Sequence, residues 1–144
     1  MKDLLEALKT EIAAGMTTIK GISVVADPDF IPETAQFPYI GLKDGKVLRS
    51  EGMAETVDQT EEVWIYIYAR LLQNPEASIM GAGGNKGLLD YMADLHALLH
   101  LNTLSVAGVV HAFCPEETES EMFMKGENVF IQRKGCRYEY QIDS

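Results

Sequence analysis

Apolar and polar positions along the chain fall into stretches with clear periods. Residues 3–16, DLLEALKTEIAAGM, place Leu4, Leu5, Leu8, Ile12 and Met16 at helical spacing, so one apolar stripe runs along a predicted helix. Asp3 stands where an N-cap belongs, and Glu6, three residues on, completes the pattern of a capping box. Gly15 and Gly21 flank the expected end. Residues 21–26, GISVVA, form a short β-branched run that stops at DPDFIPET, whose two prolines block continuation. In FPYIGLKDGKVLRS, Tyr39, Ile40 and Leu42 suit a strand. Asp44-Gly45 has the form of a two-residue hairpin turn, with residues 46–49 returning beside it. SEGMAETVDQT, residues 50–60, has no clear period and is expected to be a polar loop or hairpin tip; the loop is taken as 48–60 overall.

The clearest strand is EEVWIYIYARLL, residues 61–72. Val63, Ile65, Ile67 and Ala69 fall on one face; Trp64, Tyr66, Tyr68 and Arg70 fall on the other. Both faces are largely apolar or aromatic. That pattern predicts a central strand with helices on one face and a partner subunit on the other. Residues 73–87 are expected to be a loop, with 74–86 as its body. GLLDYMADLHALLHL, residues 87–101, predicts a second helix whose inner stripe is Leu88, Met92, Leu95 and Leu99, with Asn102 as C-cap. LSVAGVVHAF, residues 104–113, predicts a strand. An acidic stretch follows, and VFIQRKGCRYEYQID predicts two short strands around Lys134-Gly135. Cys136, Tyr138, Tyr140 and Ile142 alternate with Arg137, Glu139 and Gln141 in the second.

There is no regular β-α alternation, so a doubly wound parallel sheet is disfavoured. The expectation is one α+β domain over 1–144: a mostly antiparallel mixed sheet of 4–6 strands with two helices packed on one face. A chain of 144 residues buries roughly 68–70% of its unfolded surface on folding, enough for a core without staples. Two cysteines, Cys114 and Cys136, are too few for a disulfide framework, and free thiols are expected. A formal charge of −10 argues against general affinity for DNA phosphates and for anionic membranes. No apolar run approaches the ~18 residues of a membrane span. The opening residues carry acids inside their apolar pattern, unlike a secretory signal, so a cytoplasmic protein is expected.

Candidate chemistry is thin. IMGAGGNKGLLDY puts four glycines at 81, 83, 84 and 87, with Lys86 among them, ahead of a helix. A phosphate-binding loop of the form G-x-x-x-x-G-K-[ST] needs a hydroxyl after the lysine, but Gly87 follows Lys86. The dinucleotide fingerprint needs a glycine where Lys86 stands. Ten residues also separate Arg70 from Gly81, whereas both motifs turn at once from strand to helix. The stretch is therefore expected to be a slack connector whose glycines take positive φ. His96 and His100 lie one helical turn apart, a spacing that suits two metal ligands, with His111, Asp94 or Cys114 as a third. The H-E-x-x-H pattern is absent. Cys114 and Cys136 sit in no nucleophile signature. Glu61-Glu62 and Glu116-Glu117 diverge on a strand and are expected to be solvated edges. Arg133, Lys134 and Arg137 form the one local basic patch, either a solvated hairpin tip or a contact for residues 116–121 of a neighbouring copy. Trp64, Tyr66 and Tyr68 in one row, with several methionines, suit a covered surface.

An N-terminal helix, FPYIGLKDG, the EEVWIYIYARL strand, a loop, the helix in IMG…KGLLDYMADLHALL and the closing R-K-G-C-R-Y-E-Y-Q-I strand occur in that order. Taken together, they resemble small tail-completion proteins of long-tailed bacteriophages, most of all the tail terminators, also described as minor tail or head–tail joining proteins. The resemblance spans nearly the whole chain and lies in element order and local flavour. It implies an α+β subunit that assembles as a ring, typically a hexamer, on the head-proximal end of the tail tube. There it would stop tube growth and face the head connector. It implies no catalytic, cofactor-binding or metal-binding residues, no cofactor and no enzyme activity. The expected partners are other copies of the chain, the tail tube protein and head-connector proteins, with no specific nucleic-acid sequence and no membrane. The expected location is the bacterial host cytoplasm during assembly and then the virion tail. The competing expectation is a small ligand-binding protein or hydrolase using the glycine-rich loop 81–87 or the His96/His100 pair.

Overall fold

The computed structural model describes residues 1–51, 57–71, 74–124 and 129–143. In chain order the elements are α1 (Lys2–Gly15), β1 (Gly21–Val24), β2 (Tyr39–Glu51), β3 (Val57–Arg70), α2 (Pro75–Met80), α3 (Leu88–Leu99), β4 (Val109–Glu117), β5 (Glu121–Met124) and β6 (Phe130–Asp143). Six strands form one mixed sheet in the order β1-β2-β3-β6-β4, with β5 also paired to β6. β1 is parallel to β2, and every other pair is antiparallel. The α+β architecture agrees with the one expected from the sequence.

The amphipathic stripes decide the packing. Leu4, Leu8, Ile12 and Met16 of the N-terminal segment and Leu88, Met92, Leu95 and Leu99 of α3 are all buried. They join Ile40, Leu42, Val63, Ile65, Ile67, Cys136, Tyr138 and Tyr140 from the sheet in one core. The even residues of β6 and the odd residues of β3 therefore face the helices. β3 is central as its two apolar faces require, flanked by β2 and β6 over nearly its full length.

The opposite, open face is partly closed by the chain itself. The connection 25–38 between β1 and β2 lays Ile31, Ala35 and Phe37 against Tyr39, Tyr68 and Ile131. The Tyr68 hydroxyl donates to the Pro28 carbonyl at 2.7 Å. The cover expected from a partner subunit is thus supplied at one end by residues 25–38. At the other end Trp64 stays half-exposed.

Several local expectations are corrected. α1 begins at Lys2 after Met1, so Asp3 lies inside the first turn rather than at the cap. A carboxylate there still complements the helix dipole. Asp44-Gly45 is no hairpin turn. β2 continues straight through it, and Gly45 and Lys46 together oppose Glu62, a β-bulge between the pairs Asp44–Val63 and Val47–Glu61. A Cβ on Gly45 would meet the Glu62 carbonyl oxygen at 2.7 Å, so glycine serves close approach here. β2 and β3 instead extend together as far as Glu51 and Val57. The outer residues of the predicted 48–60 loop are strand, and 52–56 lie outside the described residues.

Lys134-Gly135 is likewise mid-strand. β6 is one strand of 14 residues. Gly135 pairs with Tyr66, and Gly21 pairs with Tyr39. A Cβ on Gly135 would lie 2.7 Å from Tyr66 Cε1, and one on Gly21 would lie 2.5 Å from Tyr39 Cε2. In both cases a tyrosine ring covers the bare glycine across the ladder and restores the packing that a glycine in a strand forfeits.

The strand expected over 104–113 begins only at Val109. Before it, Leu101, Leu104 and Ser105 adopt positive φ around Asn102. His100 is the C-cap of α3. Asn102 still closes the helix end: its amide donates to the Leu98 carbonyl at 3.1 Å, and its Oδ1 accepts from Leu104 N at 2.9 Å. An asparagine side chain that mimics a turn explains why the apolar run starts late.

Candidate functional site

Loop 74–86 is ordered by its own residues. Asn74 caps α2, with Pro75 in the first turn. Ala82 and Asn85 exchange backbone hydrogen bonds at 3.1 and 3.0 Å. Gly83 and Gly84 between them have φ of 59° and 84°, as a type I′ turn requires. Gly81 at φ 81° and Gly87 close the loop by direct backbone approach, since a Cβ on Gly87 would lie 2.4 Å from Gly81 N. Gly81, Gly83 and Gly84 take positive φ as expected, but the connector is a helix and a tight turn rather than slack chain. Its anion-binding capacity is used internally. Gly87 N, at the start of α3, donates to Asp90 Oδ2 at 2.9 Å, and Lys86 Nζ pairs with Asp94. A phosphate would have to displace both carboxylates.

His96 and His100 lie on α3 as predicted, but their surroundings differ. The His96 imidazole Nδ1 shares a hydrogen bond with the Tyr138 hydroxyl. Its Nε2 is 3.0 Å from Glu117 Oε2, an ion-pair distance without hydrogen-bond alignment. His100 is exposed. Of the third ligands considered, His111 pairs with Gln141 on the open face, so the sheet separates it from His96. Asp94 is taken by Lys86. Cys114 does share a solvent-open recess of about 450 Å³ with His96, His100 and Glu117. Among the described residues no three His, Cys, Asp or Glu side chains are grouped closely enough to hold an ion.

The paired glutamates diverge as expected, but the pair at 61–62 is buried. Glu61 and Glu62 are 4% and 8% exposed. Glu61 faces the helices, where its Oε1 meets the Met1 amino group at 3.0 Å and accepts from Gln59 at 2.9 Å. Glu62 faces the open side and meets Arg137 at 2.9 Å. Glu116 and Glu117 split in the same way, Glu116 to Arg137 at 2.9 Å and Glu117 towards His96 and Lys134.

The basic patch is therefore neither a hairpin tip nor free for a neighbour's acidic segment. Arg137 contacts Glu62, Glu116 and Glu139; Lys134 lies 3.8 Å from Glu117; Arg133 meets Glu121 at 3.0 Å and also Asp29. The acidic residues 116–121 are the partners that the same chain supplies, because β4 and β5 lie end to end along β6. Thr118 bridges them: its N–H donates to the Gly135 carbonyl at 2.7 Å, and its Oγ1 accepts from Gly135 N at 2.9 Å. Arg133 also lies 5.9 Å over the Tyr66 ring, and desolvation raises the Tyr66 phenol pKa despite that cation.

The open face thus has two halves. One is sealed by residues 25–38. The other presents Trp64, stacked at 6.0 Å on Tyr66, beside Lys43, Lys46, Glu62, Glu116 and Arg137 around a shallow recess. The two borders of the sheet differ as well. The β1 border exposes Val24. Phe30, at 77% exposure, projects from the connection 25–38 between Asp29, which meets Arg133 of β6, and Ile31, which packs with Tyr68 and Ile131. The β5 border exposes Met122, Met124 and Phe130. Sequence periodicity could find the aromatic row, but not these borders, because they depend on the order of the strands.

No protein-family model and no curated protein sequence matches the chain. Among solved structures it is similar to a chain from the virion of a native gene transfer agent particle, at 14% identity and a TM-score of 0.54. The match covers 92% of this chain and 84% of that one. At this identity the two chains are alike in fold.

Proposed function

We propose that the chain is a structural subunit of a phage-type virion, which caps the tail tube at the head–tail junction as a closed ring of about six copies. The observation that carries this reading is the fold shared over 92% of the chain with a component of an assembled virion. Element order and local sequence, which resemble tail-completion proteins, point the same way. The surface fits too. A closed ring is a head-to-tail assembly and needs two different patches on each subunit. Val24 on the β1 border and Met122, Met124 and Phe130 on the β5 border are exposed apolar side chains on opposite edges of one sheet. The partners on this reading are other copies of the chain, the tail tube protein and the head connector, and the sites of action are the host cytoplasm during assembly and the virion tail.

The test is the solution mass of the purified chain, alone and with tail tubes, for the wild type and for Val24→Asp and Met124→Asp. A ring-sized species that either substitution dissociates into folded monomers supports the reading. A folded wild type that stays monomeric with tubes present contradicts it.

A further inference from the structure

Cys114 and Cys136 take no part in the assembly reading, yet the fold brings them together. Cys136 is fully buried on the helix face of β6. Cys114, in β4, is partly exposed, packs against the same core and lines the solvent-open recess beside His96. The β4–β6 register pairs Phe113 with Glu139 and Glu116 with Arg137, so Cys114 and Pro115 together oppose Tyr138. That bulge sets Cys114 one diagonal step from Cys136, with both side chains on the helix side. The Cys114 thiol donates to the Glu116 carbonyl at 3.2 Å, and the two thiols are close enough for each to perturb the other's pKa. Pro115 gives the ladder no N–H, so the β4–β6 pairing is interrupted beside Cys114 at the edge of the sheet.

We propose that Cys114 and Cys136 form a reactive dithiol that a neutral or cationic small-molecule disulfide converts to an intramolecular disulfide, tying β4 to β6. Cys114 is the entry point. The neighbouring Cys136 thiol lowers the Cys114 pKa from the ordinary thiol value, whereas Cys114 and burial push the Cys136 thiol up. The Cys114 thiolate attacks one sulfur of the reagent. The reagent's S–S bond breaks, and one thiolate leaves and takes up a proton. Cys136 then loses its proton to solvent and attacks Cys114 Sγ. The mixed disulfide breaks, and the second reagent thiol departs. Two protein thiols are oxidised, and one disulfide is reduced to two thiols. Glu116 and Glu117 at the mouth of the recess disfavour an anionic reagent.

The folded protein is treated with cystamine and, in parallel, with oxidised glutathione, and its intact mass is followed without reductant. Wild type is expected to lose two hydrogens, keep no adduct and remain a single chain, faster with cystamine. Cys136→Ala is expected to stop at one cysteamine adduct. Cys114→Ala is expected to react at least about tenfold more slowly, because the remaining thiol is buried. If Cys136→Ala loses the wild-type circular dichroism spectrum, Cys136→Ser replaces it; the wild-type mass decides the matter in any case. A stable adduct on wild type, cross-linked chains, or no reaction of the native protein overturns the proposal.

Discussion

Tyr138 and Tyr140 are neighbours on the helix face, both fully buried, with rings 6.3 Å apart. Their hydroxyls differ. Tyr138 is bonded to His96, whereas the Tyr140 hydroxyl has no partner among the described residues. Removing a bonded hydroxyl should cost about 0.5–1.5 kcal/mol, and removing an unbonded buried one should be nearly neutral or stabilising. Urea unfolding should therefore rank Tyr138→Phe below wild type and Tyr140→Phe level with it or above. The same burial sets the response to alkali. Desolvation raises the phenols of Tyr68, Tyr138 and Tyr140 above their ordinary 10.0. The folded state therefore binds protons more tightly than the unfolded state. The stability these groups contribute is complete below about pH 10 and is lost as pH rises towards their folded values. Tyrosinate absorbance should appear together with the loss of circular dichroism, and ionisation of most tyrosines in a still-folded protein would contradict this.

At the scale of elements, periodic segments were legible in the sequence and punctuation was not. The stripes of α1 and α3 and the alternation in β3 and β6 directly state which side chains are buried, and the fold follows them. Asp44-Gly45 and Lys134-Gly135 carry the residues of turns, yet both run through strands, because each glycine answers a neighbour on another strand: Glu62 in one case, Tyr66 in the other. The open-face cover by residues 25–38 and the internal pairing of Arg133, Lys134 and Arg137 depend on strand order, which no local pattern carries. The true tight turn lies at Gly83-Gly84, inside a stretch that looks like slack. Both residues have open space around them and positive φ. Gly84→Ala should therefore cost only backbone strain, about 1 kcal/mol. Gly81→Ala, where a Cβ would lie 2.6 Å from Asp90 Oδ2, should cost more. Equal melting temperatures for the two variants would contradict this account of the loop. In the core, Leu8→Ala should destabilise by about 2–5 kcal/mol, since Leu8 is fully buried between α1 and the sheet.

At the scale of the whole molecule, most of the polar chemistry that looked functional in the sequence is spent within the subunit. Lys86, His96, both buried glutamates and the basic patch all have partners in the same chain. The side chains the subunit leaves outward include Val24 on one sheet border, Met122, Met124 and Phe130 on the opposite one, and a partly covered aromatic row between them. That distribution suits a part that is completed by its neighbours. The measurement that tests this most directly is the mass of the wild-type chain in solution across concentration and with tail tubes added. The account predicts a discrete ring of about six copies, lost in Val24→Asp and Met124→Asp while each remains folded. A folded wild-type monomer at every concentration, unchanged by tubes, would contradict it.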